Sequence, residues 1–94
     1  MTVEQFLPAF HYGDAVGNSA LALHRFLLAN GVESRLVAMT CDAGVRDQAV
    51  LFRDYRLDPG AIKILHFAVA SQLTDFFMGL TGKKVMIYHN ITPA

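Results

Sequence analysis

Three of the four histidines stand at or just past the carboxyl end of an apolar run with strand character. His11 follows Phe6-Leu7-Pro8-Ala9-Phe10, His66 closes the Ile62–Phe67 run, and His89 follows Val85-Met86-Ile87-Tyr88. Imidazole changes charge near neutral pH and can donate, accept or carry a proton, so three of them along one edge point to a polar ligand site. A glycine turn, Gly13-Asp14-Ala15-Val16-Gly17-Asn18, lies directly behind His11. Glycine allows tight backbone geometry and close approach, and a helix that starts there presents unpaired N–H groups that favour an anion, typically a phosphate. The Gly-x-x-x-Gly spacing is neither the dinucleotide fingerprint nor a P-loop ending. A purely structural strand-to-helix turn and a phosphate site therefore both stand on spacing alone, and a single strand-end histidine also reads as a hydrogen-bonded packing residue.

Other chemistries find less support. His11, Asp14, His66 and His89 are metal-ligand types, yet they come from separate loops and lack a close His-x-x-x-His spacing, so no metal is expected. Cys41 has no base near it in sequence, and Ser71 is explained as a helix cap. Asp42 stands where a dinucleotide binder carries its acidic residue, but the glycine spacing argues against that use and no cofactor is expected. His24 falls on a helix flank and reads as a surface residue.

The elements that must position these groups alternate. Val3–Leu7 is strand one, ended by Pro8, which cannot donate to a ladder. Val16, Ala20, Leu23 and Leu27 recur at helical spacing, with Asp14 as N-cap and Gly31 as the stop. Ser34–Met39 is strand two, its Leu36-Val37-Ala38-Met39 run suited to burial on both faces. Val45, Ala49 and Phe52 suggest a short or irregular helix before the Asp58-Pro59-Gly60 turn. Ile62–Phe67 is strand three; Leu73, Phe76, Phe77 and Leu80 mark a second helix; Val85–Tyr88 is strand four. This alternation predicts an α/β fold with a parallel four-stranded sheet of order 3-2-1-4, helices on both faces, and a ligand crevice at the switch point between strands one and four.

With 94 residues the chain holds one core, and 53% hydrophobic against 17% charged residues is an apolar balance for that size. Such an excess predicts a surface made for a partner or a missing domain, and with Val85–Tyr88 left as an apolar edge strand a homodimer or higher assembly through strand four or its neighbouring helix is expected. Net charge is zero and Lys83-Lys84 is the only adjacent basic pair, which argues against nucleic acid. One cysteine, no signal-peptide layout at Met1-Thr2-Val3-Glu4-Gln5 and no run of about 20 apolar residues lead to a cytoplasmic expectation.

Three stretches resemble one family. Gln5 to Asn18, His66-Phe67-Ala68-Val69-Ala70-Ser71 and Ile87-Tyr88-His89-Asn90-Ile91-Thr92-Pro93 look like the amino-terminal part of bacterial family-four retaining glycosyltransferases of the GT-B fold, the His-Asn-Ile-Thr-Pro ending being the most specific piece. The resemblance spans the chain and implies that residues 1–94 are half of an amino-terminal, acceptor-side Rossmann-like domain. It implies a parent enzyme that moves a sugar from a nucleotide diphosphate sugar to an acceptor with retention. The donor phosphates would meet Gly13, Asp14, Ala15, Gly17 and Asn18. His89 would be catalytic, facing the donor sugar, while His11, His66 and Asn90 are further candidates for substrate contact. The donor-holding second domain of such enzymes is not in this chain, so the fragment alone is expected to be inactive. A stand-alone phosphate or nucleotide binding module and a self-associating interaction domain are the alternatives.

Overall fold

The structure, a computed structural model, describes residues 1–10, 15–42, 47–67 and 72–89. Among the described residues, five strands and two α-helices follow one another as β1 (Thr2–Phe10), α1 (Ala15–Ala29), β2 (Glu33–Cys41), β3 (Val50–Leu51), a 3₁₀ turn (Phe52–Asp54), β4 (Ile62–Phe67), α2 (Gln72–Met78) and β5 (Lys84–Tyr88). All strand pairs are parallel and the sheet order is β3-β2-β1-β4-β5. The fold is α/β, with β1 at the centre.

The two faces of the sheet carry separate cores, as the period-two alternation of a strand requires. Leu7, Phe10, Leu36 and Ala38 pack with Ala20 of α1. On the opposite face Phe6, Val37 and Leu65 pack with Leu73 and Phe77 of α2. The second face is strongly aromatic: Phe6 meets Tyr55 edge-on at 5.2 Å between centroids, and Phe52 meets Phe76 at 4.9 Å. Each helix thus covers one face.

Helix α1 ends as its sequence suggests. Gly31 takes φ +76°, and the Val32 and Gly31 amides donate to the carbonyls of Leu27 and Leu28 at 3.0 and 3.1 Å. This paired closure is the Schellman arrangement, and the left-handed residue within it favours glycine.

Strand number and order depart from the four-stranded 3-2-1-4 expectation. Val50–Leu51 is a short edge strand where a helix was expected, because its neighbours serve opposite faces: Ala49 packs against the α1-side core and Phe52 against the α2-side core. One helical stripe cannot do that, whereas an extended segment passing the sheet edge can. The chain then crosses the α2 face and enters the sheet beside β1, with Val3↔Ile62 and Phe6↔Leu65 in register. Ile62–Phe67 therefore neighbours β1 and not β2, and the switch point lies between β1 and β4; Val45 is outside the described residues.

Strand β1 also runs beyond Pro8. Its register with β4 extends from Val3 to Phe6, while that with β2 continues to Phe10↔Cys41 and passes over Pro8 between Leu7↔Ala38 and Ala9↔Thr40. A proline is tolerated where no ladder bond is asked of its nitrogen.

Candidate functional site

Glu4 and Gln5, adjacent on the central strand, are both fully buried and face opposite sides of the sheet. Each must find hydrogen bonds within the protein, since an unpaired buried polar group costs about 1–3 kcal/mol. Gln5 finds them on the α1 side. Its Nε2 donates to the Ala20 carbonyl at 3.0 Å, and its Oε1 lies 2.6 Å from His66 Nε2. His66 Nδ1 in turn lies 2.9 Å from His89 Nε2.

Strand register explains how these three groups meet. Gln5 pairs with Ile64 and His66 with Ile87, so His66 lies one strand period beyond Gln5's partner and His89 one period beyond Ile87, all on one face. The His89 amide donates to the Phe67 carbonyl at 2.8 Å, which continues the β5 path past its last ladder residue. The two imidazoles lie edge to edge, tilted 32° to each other, with centroids 5.2 Å apart.

His66 is a neutral imidazole here. Burial, and after it the neighbouring His89, push its pKa from the usual 6.5 down to about 4. Both of its ring nitrogens are engaged within the protein, whereas the half-buried His89 reaches the carboxyl edge of the sheet. The arrangement is a buried polar chain that ends in one histidine able to meet a ligand.

Glu4 anchors a second network, on the α2 side near the amino end of the sheet. Its carboxylate accepts from the Tyr55 hydroxyl at 2.6 Å and from Arg35 Nη1 at 3.0 Å, with Lys63 Nζ at 3.7 Å. Lys63, also buried, donates to the Asp58 and Ala61 carbonyls, and Arg35 extends to Asp58 at 3.4 Å. Burial and the bond to Glu4 hold the Tyr55 hydroxyl protonated far above its ordinary range. A cleft of about 290 Å³ opens beside Glu4, Tyr55 and Arg56, and another of about 410 Å³ beside His24 and Ser34. Neither lies at the carboxyl edge, where open parallel sheets bind ligands.

The sequence-derived candidates distribute unevenly. His11, Gly13, Asp14 and Asn90 lie outside the described residues, as does Ser71. Of the turn, Ala15 and Asn18 are exposed on the first turns of α1 while Gly17 is buried. His66 and His89 are brought together. His24 is half-buried, with Nδ1 2.7 Å from Ser34 Oγ, and burial lowers its pKa; it is not the free surface residue expected. Gln5 and Glu4 were missed as members of polar networks, although two polar residues inside an otherwise apolar central strand were a visible signal. Among the described residues no group of three or more histidine, cysteine, aspartate or glutamate side chains is placed to hold a metal ion, and no helix is long and apolar enough to cross a membrane.

Comparison with protein-family models, curated proteins and solved structures finds no match to the chain.

Proposed function

We propose that the chain is the amino-terminal, Rossmann-like part of a retaining GT-B glycosyltransferase, working in the cytoplasm, in which His89 contacts the sugar of a nucleotide diphosphate sugar. The observation that carries this reading is the junction of His66 and His89 at the carboxyl side of a parallel sheet, next to the switch point between β1 and β4. The resemblance of the His-Asn-Ile-Thr-Pro stretch supplies the substrate class. An imidazole oriented by a hydrogen bond suits a ligand hydroxyl, and the start of α1 suits phosphate oxygens. Positioning and electrostatic stabilisation of the leaving phosphate would supply most of the catalysis, the donor being held by a second domain.

The test is the reading frame beyond Ala94. It should continue to a protein on the order of 300 residues, two domains of ordinary size, and that protein should transfer sugar with retention. A stop codon at that point, together with micromolar nucleotide binding by the chain alone, would instead establish a stand-alone binding module.

A further inference from the structure

We propose that Gln5 and His66 are positioning residues for His89: they fix its proton on Nε2 and leave the Nδ1 lone pair as the acceptor for a ligand hydroxyl at the carboxyl edge. The direction of each bond follows from the group before it. With its amide nitrogen 3.0 Å from the Ala20 carbonyl, Gln5 must turn its Oε1 toward His66, since the flipped amide would set two carbonyl oxygens against each other. An oxygen 2.6 Å from His66 Nε2 requires a proton on that nitrogen. Neutral His66 has only one N–H, so its Nδ1 is a lone pair, and the 2.9 Å contact needs the proton on His89 Nε2. The helix carbonyl at Ala20 thereby sets the tautomer of a histidine on a different strand. A third group that orients an imidazole and selects its tautomer is the recurring design of histidine sites, and here the role falls to a second histidine backed by an amide. That the hydroxyl belongs to a sugar rests on the reading proposed above; the tautomer assignment does not.

The experiment is ¹⁵N NMR of the imidazoles in the chain, recorded at mildly alkaline pH, including the through-bond N–H···N coupling. The expected result is one proton on His89 Nε2 coupled to an unprotonated His66 Nδ1. Gln5→Glu should invert the relay: a carboxylate against His66 Nε2–H favours the imidazolium, whose Nδ1–H then donates to His89 and moves the His89 proton to Nδ1. Gln5→Met, close in shape, should release His66 and leave both rings as tautomer mixtures with the coupling lost, and it serves if Gln5→Glu does not fold. A proton on His66 Nδ1 in the unsubstituted chain, or mixed tautomers there, overturns the proposal, as does a folded Gln5→Glu variant with unchanged protonation. A fixed His89 tautomer in a longer protein that transfers no sugar keeps the relay and rejects the glycosyltransferase reading.

Discussion

The Tyr55 hydroxyl donates to Glu4 Oε1 at 2.6 Å, joining the segment that crosses the α2 face to the central strand beneath it. That bond sits at the point where the chain leaves β3 on one side of β1 and heads for β4 on the other. Tyr55→Phe should therefore lower stability by about 1–3 kcal/mol, the cost of leaving a buried acceptor one donor short. Glu4→Leu should cost about 3–5 kcal/mol, because buried Lys63 then loses its counter-charge. Urea denaturation midpoints measure both, and a Tyr55→Phe midpoint unchanged within error would reduce the contact to passive packing.

Acid should weaken the fold through His66. Its folded pKa, about 4, lies below the unfolded value of 6.5, so its contribution is fully present above pH 6.5 and is lost as pH falls from 6.5 toward 4. Gln at position 66 offers both a donor and an acceptor without titrating. Denaturation midpoints of the unsubstituted chain should fall between pH 7 and pH 5 more steeply than those of His66→Gln, and parallel profiles would remove His66 as the source.

In the longer protein proposed above, His89→Ala should cut turnover at least tenfold, about 1.4 kcal/mol of barrier, with little change in folding stability. His24→Ala should leave turnover within about twofold while costing about 1 kcal/mol of stability for the lost Ser34 bond. Equal turnover in the two variants would detach His89 from the chemistry.

The chain by itself should bind nucleotide diphosphate sugars weakly, because the donor is held mainly by the second domain of the proposed enzyme. Titration calorimetry is the check. Micromolar affinity, about 8 kcal/mol of binding free energy, would favour a free-standing module.

Strand β5 is an edge on which Val85, Met86 and Tyr88 remain 49%, 43% and 68% exposed. Val85 and Met86 are consecutive and so face opposite sides, which leaves apolar side chains open on both faces of an edge strand that holds no proline and whose one lysine, Lys84, is turned onto the end of α2, where it donates to the Phe77 and Met78 carbonyls. We propose that the chain self-associates through it. Sedimentation at tens of micromolar should give species larger than a monomer, and Val85→Glu should shift them toward monomer; a monomer in both cases counts against the edge as a contact.

The amino-acid sequence by itself determined the alternation of strands and helices, the stop of α1 at Gly31 and the gathering of His66 and His89 toward one edge of the sheet. Each of these is local: apolar periodicity, a glycine tolerant of positive φ, and the rule that parallel strands share a direction all act within a few residues. Only the tertiary structure decided the order of the strands, because Val50–Leu51 is too short for a periodic signal and earns its place through Ala49 and Phe52 reaching opposite faces. The tertiary structure also decided the meaning of Glu4 and Gln5. Their partners, Tyr55 and His66, lie 51 and 61 residues away in sequence. A pattern read along the chain registers only two polar residues in an apolar strand. Which face each one takes, and which buried donor or acceptor waits there, is set by strand register and by the cost of leaving such a group unpaired in a low-dielectric interior.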